Sequence, residues 1–234
     1  MKRTNRKTKK NVITIDGPSA SGKGIISKNL ARIFGWNILN SGAIYRSLAF
    51  LSVKNKVSYL VESNLLFLTD QLNLKFKIKK NKLFIILNNQ DVTLNILDEK
   101  IGIIASKISI FPSLRKKILN MQKNFYQPPG LIAEGRDMGS IVFPEASVKI
   151  FLDASLKIRA IRRTKQLQKK GFNVNFKDIF FKIRDRDNSD INRKIAPLAP
   201  DSQALIIDST LLNVEEVIQK IIFYTKQKIN LNIN

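Results

Sequence analysis

The segment Val12-Ile13-Thr14-Ile15-Asp16-Gly17-Pro18-Ser19-Ala20-Ser21-Gly22-Lys23-Gly24-Ile25-Ile26 leaves this chain few ways to fold. Apolar and β-branched residues run into two glycines separated by four residues. A lysine follows directly, and an apolar stripe at helical spacing (Ile26, Leu30, Ile33, Phe34) begins just after. That order reads as strand, anion-binding loop, helix. Glycines allow a tight turn that brings successive N–H groups toward phosphate oxygens, and a helix starting near Gly22 aims the positive end of its dipole at the same place. Lys23 then supplies a point charge for the outer phosphates of a nucleotide. The hydroxyl usual after the lysine is missing, because Gly24 and Ile25 carry none, so no side chain there holds Mg2+ directly.

The pattern continues as alternating strands and helices. Trp36–Asn40 reads as a second strand, closing a βαβ unit whose ligands belong at the carboxyl ends of parallel strands. Ser41, Tyr45 and Arg46 follow on the next helix, about Ala43 to Val53, for which Ser41 is also a possible N-cap. Residues 57–71 read as helical. From Leu72 to Leu87 the period changes to strict alternation around a polar turn, Lys79–Lys82, which predicts a hairpin interrupting the α/β order. Two helices flank Phe111-Pro112 and carry Ser106 and Arg115. Leu131–Ala133 is a strand running into Glu134-Gly135-Arg136-Asp137-Met138-Gly139, a second glycine-punctuated turn at the same crevice. Val148–Leu152 and Ala204–Ile207 are further strands, ending in Asp153 and Asp208. Between them lie an arginine-bearing helix from Ser155 to about Lys170, with Arg159 and Arg163 on one face, and a polar helix from about Phe176 to Asp187. Val214–Lys228 is a terminal helix.

Composition narrows the chemistry. With 234 residues the chain supports one sizeable core. It has no cysteine and no histidine, so disulfides and thiolate zinc sites are excluded, and acid–base or metal work falls to carboxylates, lysines, hydroxyls or water. No apolar run is long enough to cross a bilayer, and no apolar segment follows the basic start, so a soluble cytoplasmic protein is expected, with no membrane partner. The net charge of +23 suits polyanionic partners. The excess is mostly lysine spread along the chain, without an aromatic-rich basic groove. Phosphorylated small molecules are therefore expected in preference to nucleic acid, and the basic residues 1–11 are expected to be a disordered tail. Lys23, Arg46, Arg136, Asp137 and the arginines of 159–193 converge on one crevice if the sheet is parallel. Such a set equips a protein for phosphoryl transfer, which relies on positioning and charge stabilisation.

These motifs resemble those of bacterial cytidylate kinases. The resemblance rests on Ile15–Ser19 with Gly22-Lys23-Gly24, Ser41-Gly42-Ala43-Ile44-Tyr45-Arg46, Gly135–Gly139, Val142-Phe143-Pro144 with Lys149–Ala154, the spacing of Arg186, Asp187, Asp190 and Arg193, Ala196-Pro197-Leu198, and Asp208-Ser209-Thr210. It covers residues from about 12 to 228. It implies an α/β fold: a P-loop NTPase core with a parallel five-stranded sheet, a short lid at about 155–193, and a small antiparallel β insert at about 70–95 on the nucleotide-binding side. Residues 12–234 then form one nucleoside monophosphate kinase domain, expected to be a monomer. The implied reaction takes MgATP and CMP or dCMP to ADP and CDP or dCDP.

By the same resemblance, Gly17, Pro18, Ser19, Ala20, Ser21, Gly22, Lys23, Gly24 and Ile25 hold the ATP phosphates. Lys23, Arg136, Arg159 and Arg163 stabilise the transferring group. Ser106, Arg115, Asp137 and Arg193 match positions that recognise cytosine. Arg46 and Arg136 match positions near the acceptor phosphate, Tyr45 and Ser41 lie by the bound nucleotide, and Arg186 and Asp190 match positions near the ribose. Two departures stand out: Ile25 where the family usually has Thr, and Asn40 where Asp is common. Both are expected to affect rate or metal handling more than reaction type.

Overall fold

A computed structural model describes residues 11–229, so the tail expected over 1–11 lies, apart from Asn11, outside the described residues. The Asn11 carbonyl accepts the amide of Leu131 at 2.9 Å, so the chain is already aligned with its neighbour strand at that point.

Five parallel strands make the central sheet. They are β1 (Val12–Asp16), β2 (Asn37–Asn40), β6 (Leu131–Gly135), β7 (Val148–Asp153) and β8 (Leu205–Asp208), in the spatial order β2-β6-β1-β7-β8. β1 and β6 are buried along their whole length, as strands covered on both faces must be. Alternation sorts their side chains. Ile13, Ile15 and Ile132 pack with α1 (Lys23–Phe34) and α8 (Val214–Lys228), while Val12, Leu131 and Ala133 join the core under α2 (Ser41–Lys54), α3 (Glu62–Asp70), α4 (Glu99–Ile108) and α5 (Pro112–Lys123). β1 pairs with β6 from Val12↔Leu131 to Asp16↔Gly135, so both strands deliver their polar ends to one edge.

The predicted hairpin is present as β3 (Leu74–Lys79) and β4 (Lys82–Leu87), with Lys80 and Asn81 both at positive φ between them; β5 (Gln90–Asp91) completes a small antiparallel sheet. Leu74, Ile85 and Leu87 bury into the same core as α2 and α3. A short 3-10 turn, Asn95–Leu97, then leads into α4. On the other side of the site, α6 (Leu156–Gln168) and α7 (Phe176–Asn192) form a hairpin whose own apolar centre is Ala160, Leu167, Ile179 and Ile183.

Four details differ from the sequence reading. The helix expected over 57–71 begins only at Glu62, because Lys56 takes a left-handed conformation and Ser58 organises a turn, accepting the Leu60 amide at 3.3 Å. The N-cap of α2 is Asn40, which accepts the Ala43 amide at 2.8 Å, and not Ser41. Ile33 is exposed and Ala31 takes its place in the buried stripe of α1. α7 continues past Asp187 to Asn192, since Asp187 and Asp190 face inward to arginines instead of ending the helix in solvent.

Candidate active site

The loop between β1 and α1 is shaped by two glycines. Gly17 has φ +145°, and a Cβ there would lie 2.0 Å from the Leu152 carbonyl oxygen on β7, so no other residue fits. Gly22, at φ +104°, caps α1. The Lys23 ammonium folds back over the loop, donating to the Gly17 carbonyl at 2.8 Å, to the Pro18 carbonyl, and to Ser21 Oγ at 3.3 Å. Burial, followed by the Arg136 guanidinium, pushes its pKa well below the ordinary lysine value. A phosphate arriving there gives that buried charge a stronger acceptor than backbone carbonyls. Ile25 projects to solvent, and its amide and that of Ile26 are engaged by the Gly22 carbonyl.

Two carboxylates lie beside the loop. Asp16, at the end of β1, accepts the amides of Met138 and Gly139, both at 2.8 Å, and so fastens the turn after β6 to β1. Burial raises its pKa to about 6. Glu134, on β6, accepts from Ser27 Oγ at 3.3 Å and from the Asn40 side-chain amide, and burial raises it to about 7. A Cβ on Gly24 would meet Glu134 Oε1 at 3.5 Å, which places this carboxylate against the first turn of α1. Among the described residues no three acidic side chains cluster as a ready metal cage. A single carboxylate is enough for Mg2+ that arrives on nucleotide phosphates, and a buried one with a raised pKa gains from a cation, so Glu134 fits that ion.

Arginines from distant segments meet in one network of ion pairs and hydrogen bonds beside the loop. Arg115 on α5 donates to Asp137 Oδ2, which lies 3.9 Å from Arg193 Nη2. Arg193 Nη1 is 3.9 Å from Asp190 Oδ1. Arg136 donates through Nε to Asp190 Oδ2 at 2.8 Å and through Nη2 to Ser19 Oγ at 2.8 Å. Base-recognition candidates and phosphate loop are thus joined by a chain of ion pairs that ends in the Arg136–Ser19 hydrogen bond. Arg193 is 7% exposed, yet its Nη2 makes no hydrogen bond, a buried donor in want of an acceptor. Tyr45 is buried beside this set, and burial pushes its hydroxyl up to about 12, so it remains a neutral donor.

The remaining expected residues divide. Arg159 donates to the Ala154 carbonyl, to the Ser19 carbonyl at 3.1 Å and to Asp187, and the Ser19 amide donates to Asp187 at 3.3 Å; α6 and α7 are thereby tied to the loop. Arg163 reaches away to Glu99 on α4. Arg186 spans Ser19 Oγ at 3.4 Å and Glu99 Oε2 at 3.5 Å, and Arg46 lies under it, donating to the carbonyls of Ile96 and Asp98. Ser106 lines a cavity of about 620 Å³ together with Arg186, Tyr59 and Phe111. Ser41 is engaged elsewhere, accepting from Gln122 of α5 at 2.8 Å. Sequence reasoning missed Glu99, Glu134 and Asp187 as site residues. For Glu134 a signal existed, since it lies at the end of a strand adjacent to β1, and for Asp187 another, since it falls in the Arg186–Arg193 spacing; for Glu99 nothing local distinguishes it from a surface acid.

The profile of the cytidylate kinase family matches residues 13–227. The chain belongs to the cytidylate kinase family. It is 47% identical to the cytidylate kinase of Aeromonas hydrophila subsp. hydrophila, over 93% of this chain and 95% of that one. It is 49% identical to those of Serratia proteamaculans, over 92% and 94%, and Proteus mirabilis, over 94% and 97%. Among solved structures, a gluconokinase from Sinorhizobium meliloti 1021 aligns over 94% of this chain and 93% of its own, at 10% identity and a TM-score of 0.46.

Proposed function

We propose that this member of the family transfers the γ-phosphoryl group of MgATP to CMP or dCMP, releasing ADP and CDP or dCDP. The observation that carries the reading is the continuous chain from Ser19 of the phosphate loop through Arg136, Asp190 and Arg193 to Asp137 and Arg115. It links the phosphate loop to the buried polar groups Asp137, Arg115 and Arg193.

In this reading Gly17–Ile25 and Lys23 hold the ATP phosphates. Glu134 would be the residue to hold a Mg2+ arriving on those phosphates, and the ion would supply neutralisation of charge on the transferring group. Arg46 and Arg136 face the acceptor phosphate, and Arg186 with Asp190 the ribose. Cytosine offers an N4 donor beside N3 and O2 acceptors, so the Asp137 carboxylate and Ser106 hydroxyl suit N4 while Arg193 Nη2 and Arg115 suit N3 and O2. Uracil inverts two of those groups and would leave buried charges unpaired. The acceptor phosphate is already anionic near neutral pH, so no general base is required. The α6–α7 hairpin, with Arg159 and Arg163, serves as a lid over 155–193 that excludes water from the transferring group; the antiparallel insert of about 70–95 belongs to the acceptor side. No helix among the described residues is long and apolar enough to cross a membrane, and we place the enzyme in the cytoplasm as a monomer acting on free nucleotides, not nucleic acid.

The test is ADP release measured with CMP, dCMP, UMP and AMP in turn. Turnover is expected to be fastest with CMP or dCMP; AMP turned over well above CMP overturns the assignment.

A further inference from the structure

The turn leading into α4 gathers three guanidinium groups from three other elements. Arg46 of α2 donates to the Ile96 carbonyl at 2.6 Å and the Asp98 carbonyl at 3.2 Å. Arg163 of α6 donates to the Leu97 carbonyl at 2.9 Å and through Nε to Glu99 Oε1 at 2.8 Å. Arg186 of α7 approaches the other oxygen, Glu99 Oε2, at 3.5 Å. The Glu99 side chain is 9% exposed. Burial alone would raise its pKa, but Arg163, Arg186 and Arg46 outweigh it and hold the carboxyl below its usual range, so it is ionised whenever the protein is folded near neutral pH.

Like charges packed this closely need a counter-charge, and a carboxylate shared between two planar guanidinium forks fixes direction as well as distance. Glu99 also stands at a boundary. It belongs to α4 on the acceptor side, whereas both of its partners belong to the α6–α7 hairpin, and Arg186 reaches on to Ser19 in the loop. We propose that Glu99 is a positioning residue for phosphoryl transfer: its carboxylate, shared by Arg163 and Arg186, draws the α6–α7 hairpin onto α4 and sets those two guanidinium groups beside Arg46 at the acceptor end of the phosphate loop. The proposal rests on the kinase reading above. The same contact admits an opposite role, a stand-in anion that substrate phosphate must displace, and the two roles differ in what loss of the carboxylate does.

The experiment measures kcat, KM for ATP and for CMP, and the ratio of ADP released to CDP formed, for the full chain and for Glu99→Ala, Glu99→Gln and Arg163→Ala, with thermal unfolding of each. Wild-type turnover of CMP comes first; if another nucleoside monophosphate is the better acceptor, the substrate assignment fails and the Glu99 series is run with that acceptor. Positioning predicts that Glu99→Ala lowers kcat by about 100-fold, the scale of a misplaced reacting geometry. Both KM values should stay within about threefold, the scale expected when transition-state contacts are lost and ground-state binding is kept. Positioning also predicts that ADP is released in excess of CDP, because an unlatched hairpin admits water. Glu99→Gln, which keeps an acceptor oxygen, should recover part of kcat and of the coupling. Combining Glu99→Ala with Arg163→Ala should be no slower than the worse single variant. A lower KM for CMP in Glu99→Ala overturns the proposal in favour of a displaced anion, and so does a loss of kcat with ADP and CDP still released one for one. Should Glu99→Ala fail to fold, the ADP-to-CDP ratio of Glu99→Gln decides alone: a ratio of one overturns the proposal.

Discussion

The phosphate loop and the arginine set lie side by side but are built in opposite ways. The loop is contiguous, shaped by Gly17 and Gly22 and closed by Lys23 bonding to carbonyls within seven residues of chain. The arginine set is drawn from α2, α5, the turn after β6, α6, α7 and the residue ending α7, and it is held by carboxylates and carbonyls of distant segments. A short local motif can grip any triphosphate. Choosing among acceptors takes groups that meet only once the whole chain has folded.

That contrast predicts two kinds of damage. Lys23→Ala should lower turnover by about 100- to 1000-fold or more, the scale for losing a preorganised donor to the transition state, and should do so equally for every acceptor in the ADP-release assay. An unequal loss would mean that the loop also takes part in choosing the base. Asp137→Ala should instead narrow the preference for CMP over UMP by about 10- to 100-fold, measured as the ratio of kcat/KM values. It should also lower the melting temperature, because truncating one partner of a buried pair costs about 3–5 kcal/mol and leaves Arg115 and Arg193 facing each other. Unchanged discrimination would falsify the base-reading role.

What the sequence disclosed follows the same division. β1, the loop and α1 were legible because periodicity and glycine spacing are local, and so was the Lys80-Asn81 hairpin turn. The start of α3 was not, since Val57–Val61 are compatible with a helix until Lys56 and Ser58 impose a turn. The extension of α7 was hidden for a different reason: the polar run after Asp187 carries no apolar stripe, and only Arg159 and Arg136, from other elements, turn Asp187 and Asp190 inward. Arg115, Arg136 and Arg193 were named from the sequence, yet that they share one ion-paired chain is tertiary information. Asn40 and Glu134, separated in sequence, are bonded side chain to side chain, so the departure at 40 reads properly only beside the residue at 134.

Two smaller effects sharpen the comparison on the loop side. Because burial raises Glu134 to about 7, above the ordinary carboxyl value of 4.5, its folded state favours the protonated form. The stability it contributes is fully present below the lower value and is lost as pH rises through the higher one. The melting temperature of Glu134→Gln relative to the unsubstituted protein should therefore climb between pH 4.5 and 7; a flat difference would mean that Lys23 already keeps the carboxylate ionised. Smallest of all, Ile25→Thr offers one hydroxyl at an exposed position of the loop. It should lower KM for ATP about two- to tenfold, as one hydrogen bond of 0.5–1.5 kcal/mol allows, with CMP preference unaltered.

The α6–α7 hairpin has its own four-residue apolar centre, shared with neither sheet, and grips the remainder of the protein through Arg159, Arg163 and Arg186. Joined to each other by that apolar centre and by the Arg159–Asp187 pair, the two helices form one unit. The arginine contacts that seat this unit are largely buried, so salt should screen them only weakly and departure of a diphosphate product should change little with ionic strength.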